Sequence, residues 1–172
     1  MDAQVIWFTG LSGAGKTTLS QALCQYLLEQ GERVYLLDGD QLRSGLNADL
    51  GFSEADRLEN VRRIGEVARL FFEQGYIVIV ACISPYKQSR EAVRRRVGSE
   101  NFVEVYINTS LALCEARDPK GLYAKARRGE INTFTGISSP YERPENPSLF
   151  IDTDNKTVNQ CLNLIKDYLL HY

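Results

Sequence analysis

A chain of 172 residues with 44% hydrophobic and 24% charged residues is long enough for one well-buried core and short for two. Its net charge of −2 gives no general attraction to nucleic acid or to an anionic membrane, so affinity for anions must come from local clusters. No apolar run approaches the ~20 residues of a membrane span, and Met1-Asp2-Ala3-Gln4 lacks the basic start of a signal peptide, which makes the cytoplasm the expected compartment. Cys24, Cys82, Cys114 and Cys161 are widely spaced, with no C-x-x-C pair; Cys24, Cys82 and Cys161 sit within apolar patterns, and the four read as reduced, buried thiols. The sole histidine, His171, lies next to the C-terminus, which argues against a His-based triad or a His-rich metal site.

In chain order, the apolar run Val5-Ile6-Trp7-Phe8 predicts a strand. It feeds Gly10-Leu11-Ser12-Gly13-Ala14-Gly15-Lys16-Thr17, and a helix begins near Lys16, with Leu19, Leu23, Tyr26 and Leu27 at helical spacing and Gly31 as its stop. Glycines in such a loop let successive N–H groups converge on one point, where they and the helix N-terminus hold a polyphosphate. Lys16 then reaches the β- and γ-phosphates and the Thr17 hydroxyl ligates Mg²⁺. Arg33 to Leu37 forms a second, short strand that delivers Asp38-Gly39-Asp40 at its carboxyl end, where open α/β sheets bind ligands. A short helix over 41–46 and a turn at Asp49-Leu50-Gly51-Phe52 follow. Ser53, with Asp56 three residues on, caps a long helix whose buried face carries Leu58, Val61, Ile64, Val67, Ala68, Phe71 and Phe72, and Gly75 ends it.

The most apolar run, Tyr76 to Ile83, predicts a central strand ending at Ser84-Pro85. A polar helix over 88–97, a strand over 102–107 and a helix capped by Thr109 or Ser110 and running to Arg117 come next. From Asp118 to Pro147 the apolar periodicity fades among glycines, prolines and arginines, and the segment reads as a functional flap with one short helix. A last strand over 149–152 and a closing helix with Val158, Leu162, Ile165 and Leu169 on one face complete a doubly wound α/β sheet of about five parallel strands.

Phosphoryl transfer needs charge neutralisation, Mg²⁺ and an aligned acceptor more than covalent apparatus. Asp38 and Asp40 are the carboxylates nearest the loop in this scheme, either to bind Mg²⁺ through water or take the acceptor's proton, or simply to shape a turn and cap the short helix. Asp38, first off the strand, is the better candidate, because the strand ending at Ser84 carries no terminal Asp. Arg43, Arg57, Asn60, Arg62 and Arg63 flank Phe52 and combine guanidinium forks with an aromatic face. Arg43 and Arg57 sit near element ends that face the site, Arg62 and Arg63 suit a solvated helix face equally well, and Arg94-Arg95-Arg96 reads as solvated. The flap, with Arg117-Asp118-Pro119-Lys120 and Phe134-Thr135-Gly136-Ile137, is either a cover for a bound anion or an irregular basic surface loop.

Taken together, these motifs resemble the adenylyl-sulfate kinase family almost end to end. The likeness is carried by Gly10 to Thr18, Asp38 to Arg43, Leu50 to Ser53 with Asp56-Arg57 and Glu59 to Arg63, Ile83 to Tyr86, Asp118 to Tyr123, and Phe134 to Ile137 with Pro140-Tyr141-Glu142. Small departures are Ala14 where serine is common and Gln41 where asparagine is common. The resemblance implies a P-loop NTPase/kinase-like fold in a single domain over 1–172, with a lid over about 118–147. It implies a kinase that moves the ATP γ-phosphate to the ribose 3′-hydroxyl of adenosine 5′-phosphosulfate with Mg²⁺, and a family tendency toward homodimers.

It further implies that the loop Gly10, Leu11, Ser12, Gly13, Ala14, Gly15, Lys16, Thr17 and Thr18 holds ATP, with Arg117 near the ATP base. Arg43, Arg57 and Asn60 would hold the acceptor's phosphosulfate and ribose, joined by backbone at Ile83 and Ser84. Phe52 and Phe134 would sandwich its adenine, Lys120 would act from the lid, and Asp38 would orient the 3′-hydroxyl and help place Mg²⁺. Ser84 is often described in this family as a phosphoserine intermediate, although direct in-line transfer needs no covalent stage. The nearest rivals are a kinase of the same fold acting on a nucleoside, nucleotide or hydroxy acid, and a nucleotide-dependent switch. Asp154-Asn155-Lys156-Thr157 is not the Asn-Lys-x-Asp string that reads guanine, which disfavours a GTPase.

Overall fold

In the computed structural model, which describes residues 1–171, the strands β1 (Val5–Thr9), β2 (Val34–Asp38), β3 (Ile77–Ala81), β4 (Phe102–Asn108) and β5 (Leu149–Asp152) form one sheet in the order β2-β3-β1-β4-β5. Every pairing is parallel, with Val5 opposite both Val78 and Phe102. The order follows from burial. All residues of β1 and β3 are buried, as strands covered on both faces require, whereas the edge strands expose Tyr35 and Phe150.

Period-two alternation sends the β1 side chains into two separate cores. Ile6 and Phe8 join Leu19, Leu23 and Leu27 of α1 (Lys16–Glu29) and Ile165 of α7 (Val158–His171). Val5 and Trp7 join Val61, Ile64 and Ala68 of α3 (Glu54–Glu73) and Val93 and Val97 of α4 (Lys87–Val97). The elements lie within a few residues of where the sequence places them. The short helix α2 (Gly39–Arg43) starts two residues earlier than expected, because Asp38 Oδ1 accepts from the amides of Asp40 (2.9 Å) and Gln41 (3.4 Å) and so sets its N-terminus. Ser53 caps α3 as expected, its hydroxyl accepting from the Asp56 amide at 3.1 Å. Ser110, rather than Thr109, caps α5 (Leu111–Arg117).

Segment 118–147 contains one short helix, α6 (Leu122–Arg127), and it is no loose surface loop: Tyr123, Ala126 and Phe134 belong to the same buried cluster as β1 and α1. No helix among the described residues is long and apolar enough to cross a membrane.

The packing of α3 against α4 depends on Gly65, where an added Cβ would lie 2.5 Å from Val93 Cγ2. Val93 is buried and β-branched, so it has little room to turn aside. Gly65→Ala gains up to ~1 kcal/mol of helix propensity but loses ~1–3 kcal/mol to overpacking. The expected outcome is a Tm several degrees lower in thermal unfolding, and an unchanged or raised Tm would show that Val93 can move.

Candidate active site

The carboxyl ends of the strands open into a cleft of about 1430 Å³. Its floor is the loop between β1 and α1. Gly10 is required there because a Cβ would meet the Ile107 carbonyl at 2.6 Å, and Gly15 takes φ 109° as the chain enters α1. The loop's carbonyls are tied down from behind. Tyr123 Oη donates to Ser12 O (2.8 Å), Thr109 Oγ1 to Ala14 O (2.8 Å), and Arg117 Nη1 to Gly13 O (3.3 Å) and Ala14 O (3.4 Å).

Lys16 is buried at the head of α1, and its ammonium donates to Gly10 O (2.9 Å) and Leu11 O (2.7 Å). Burial lowers its pKa from 10.5 to about 8, against the smaller opposing pull of nearby groups including Asp40. Next to it, Thr17 Oγ1 donates to Asp38 Oδ2 at 3.1 Å. Asp38 thus caps α2 with one oxygen and accepts from Thr17 of the loop with the other. Thr17 and Asp38 supply hard oxygen donors of the kind Mg²⁺ takes alongside water and phosphate. No group of three or more His, Cys, Asp or Glu among the described residues could hold a metal by itself.

Across the cleft, the Arg43 guanidinium carbon lies 4.5 Å and that of Arg57 5.7 Å from the centre of the half-exposed Phe52 ring. Arg43 Nη1 donates to Gly51 O (3.0 Å). Arg57 is buried, and its fork reaches Phe52 O (2.9 Å), Thr135 Oγ1 (2.6 Å) and Thr133 O (2.7 Å), which joins α3 to the 118–147 segment. Burial shifts both guanidinium pKa values downward, yet arginines stay charged at neutral pH. Asn60 accepts from Asn47 Nδ2 at 3.0 Å. Phe134 is buried with its ring 4.8 Å from that of Tyr123 in an edge contact, and Lys120 forms an ion pair with Asp40.

At the end of β3, Ile83 O accepts from Thr9 Oγ1 (2.7 Å). Ser84 follows at φ 41°, a conformation rare for a side chain with Cβ, and its hydroxyl accepts from Trp7 Nε1 at 3.0 Å.

Of the residues expected at the site, Ser12 through Thr18, Asp38, Arg43, Phe52, Arg57, Asn60, Ile83, Ser84, Arg117, Lys120 and Phe134 all line this one cleft. Gly10 and Leu11 do not; they hold Lys16 through their carbonyls. Arg62 and Arg63 instead pair with Glu59 and Asp49 on the outer face of α3. Sequence reading missed the stretch Glu130 to Thr133, and also Thr153, Lys156 and Val158 beyond β5. The rule that ligands sit beyond strand carboxyl ends could have flagged the last three.

A parallel sheet in this order, with a glycine loop and buried lysine between β1 and α1 and a second polar chamber opposite, defines a P-loop kinase, an ATP-dependent phosphotransferase. The sequence matches the family described as Adenylylsulphate kinase over residues 2–152, and the chain belongs to that family. The adenylyl-sulfate kinase of Pseudomonas entomophila is 57% identical over 165 residues, covering 96% of this chain and 79% of the relative. The structure of the Mycobacterium tuberculosis APS kinase in complex with AMPPNP and APS superposes with a TM-score of 0.92 at 49% identity, covering 98% of both chains. A hexameric APS kinase from Thiobacillus denitrificans gives a TM-score of 0.73 at 38% identity, covering 97% of this chain and 28% of that one.

The lowered pKa of Lys16 has a definite sign in stability. Between about pH 8 and 10.5 the unfolded chain binds a proton there that the folded chain has released, so this group makes stability rise with pH in that window. Its desolvation cost is fully present below about pH 8 and is gone above about 10.5. In urea unfolding, the native protein is expected to gain stability relative to Lys16→Met between pH 7.5 and 10, by on the order of 2–3 kcal/mol. A difference that stays flat with pH would contradict the lowered pKa.

Proposed function

We infer that the chain transfers the γ-phosphate of ATP to the ribose 3′-hydroxyl of adenosine 5′-phosphosulfate, giving 3′-phosphoadenylyl sulfate and ADP. The observation that carries this reading is the second chamber itself. Arg43, Phe52, Arg57, Asn60 and Phe134 line one cleft with the glycine loop, in a chain that matches a kinase whose structure holds AMPPNP and APS.

In this reading the loop from Gly10 to Thr18 cradles the ATP phosphates, Lys16 exchanges its carbonyl partners for the β- and γ-phosphates, and Arg117 lies near the ATP base. Thr17 and Asp38 would hold Mg²⁺, which when bound neutralises charge on the phosphates during transfer. Asp38 Oδ2, which accepts from Thr17 here, also orients the acceptor 3′-hydroxyl in this reading. Arg43 and Arg57 offer guanidinium forks to the phosphosulfate, Asn60 and the Ile83-Ser84 backbone fix the ribose, Phe52 and Phe134 take the adenine, and Lys120 leaves Asp40 to act on bound anion. Ser84 serves as a substrate contact in a direct transfer, because its hydroxyl is engaged by the Trp7 indole.

The proposal extends to one kinase domain over 1–172 with a lid over about 118–147. It also extends to residence in the cytoplasm, which the four unpaired thiols support. Self-association into a homodimer belongs to the same reading, supported in kind by the hexameric relative.

ADP release from MgATP, measured with adenylyl sulfate, AMP, shikimate and gluconate in parallel, is expected only with adenylyl sulfate. Turnover with another acceptor and none with adenylyl sulfate would sink the assignment. Lys16→Ala should lower kcat by about 10²–10³-fold, as loss of a preorganised charge at a transferring phosphate does. Ser84→Ala should keep substantial turnover, and its complete loss in a folded variant would instead support a phosphoserine.

A further inference from the structure

Arg90, on α4, is 2% exposed, and its hydrogen bonds go to neither the glycine loop nor Arg43 or Arg57. Its fork spends all three nitrogens on separate segments. Nε donates to Glu104 Oε1 of β4 at 2.9 Å, Nη1 to the Ser84 carbonyl at 2.7 Å, and Nη2 to the Glu142 carbonyl at 2.7 Å. Glu104 is held in turn by Arg94 at 3.0 Å.

The two carbonyls belong to the two segments that Arg90 binds together. Glu142 stands at the end of the 118–147 segment. Its amide donates to Pro85 O at 2.8 Å and its carboxylate accepts from the Lys87 amide at 2.6 Å. Its neighbour Tyr141 shares a 2.9 Å hydrogen bond with Thr9, the same hydroxyl that donates to Ile83 O. Ser84, with φ 41°, is the one cleft residue of this group in a sterically disfavoured conformation, so something must hold it there. A planar guanidinium holds its donors in fixed directions and so fixes the relation between the two carbonyls, whereas an ammonium's three donors rotate on a flexible stem.

We propose that Arg90 is a positioning residue for the acceptor: it locks the Ile83-Ser84 backbone to the root of the lid at Tyr141-Glu142, so that both walls of the acceptor chamber are set by one side chain. This rests on the acceptor reading above. A purely structural role would affect how much protein folds; a positioning role changes how well the folded enzyme seats one substrate and not the other.

Two variants separate these roles. Arg90→Lys keeps a cation beside Glu104 and removes the fork. Arg90→Met with Glu104→Met removes both buried charges together, so that no carboxylate is left unpaired, a replacement that buried ion pairs often tolerate. In each, the KM for adenylyl sulfate is expected to rise about tenfold or more while the KM for MgATP stays within about twofold. Hydrogen exchange without substrate is expected to speed up at the Lys87 and Glu142 amides while β1 and β4 amides stay protected. A parallel rise in both KM values, an unchanged KM for adenylyl sulfate, or retained protection at Lys87 and Glu142 in both folded variants would overturn the proposal. A native protein inactive on adenylyl sulfate would defeat the acceptor assignment instead, and the exchange measurement would still decide whether Arg90 locks the two segments.

Discussion

An ammonium group nearly cut off from water needs oxygens close by, and Lys16 finds them in the carbonyls of Gly10 and Leu11 at 2.9 and 2.7 Å. Those carbonyls can point inward only because the chain leaves β1 at a glycine, pressed so tightly against Ile107 of β4 that no Cβ fits. The residual desolvation appears as a pKa near 8. A polyphosphate in the same place would restore the lost solvation with full negative charge, so the folded protein carries an electrostatic deficit that an anion relieves. The loop, the central position of β1 and the cation are thus one constraint. Moving any of them would either expose the lysine or leave it without partners.

The second half of the cleft is built differently, from side chains that long segments bring together. Tyr123 shows how the halves are joined. Its hydroxyl fixes Ser12 in the loop and its ring meets Phe134 in the opposite chamber, while its own amide is held by Asp118 at 3.0 Å. A buried edge contact between aromatic rings contributes ~0.5–1.5 kcal/mol beyond its area, and a neutral hydrogen bond contributes about 1 kcal/mol. Neither is large, but both require α6 to sit in one place. Arg57 does the same from the other side, tying α3 to Thr133 and Thr135. The segment that composition marks as irregular is therefore anchored both to the glycine loop and to α3, on the two sides of the cleft.

What was legible in the sequence was what local periodicity encodes. Strands buried on two faces read as unbroken apolar runs, helices as stripes, and the glycine loop as a break between them, so each element could be placed within a few residues. Asp38, Arg43 and Arg57 were legible because element ends carry them into the cleft. Arg90 was not, because it lies on a polar helix close to Arg94-Arg95-Arg96, which read as a solvated run; Arg95 and Arg96 are exposed, but Arg94 turns inward to the buried Glu104, and nothing local distinguishes the inward arginines from the outward ones. Its partners Ser84, Glu104 and Glu142 are 6, 14 and 52 residues away. Tyr141 and Thr9 are 132 residues apart. Burial of a polar side chain by distant segments leaves no periodic trace, and the sheet order that brings those segments together is itself a long-range property.

Ser84 illustrates how these constraints meet at one residue. Its backbone is held at φ 41° by what surrounds it: the carbonyl accepts from Arg90, and Thr9 ties down the preceding Ile83. Its side chain is equally committed, since the hydroxyl oxygen accepts from an indole N–H in the core beneath β3. Using that oxygen as a nucleophile would mean turning it out of a buried hydrogen bond and leaving the indole donor unpaired, which costs ~1–3 kcal/mol before any bond to phosphorus forms. Direct transfer to the acceptor hydroxyl, as proposed, incurs no such cost. The disfavoured backbone at Ser84 is better understood as shape than as reactivity: it turns the chain at the end of β3 so that the cleft wall is lined by main chain, held at its back by Arg90.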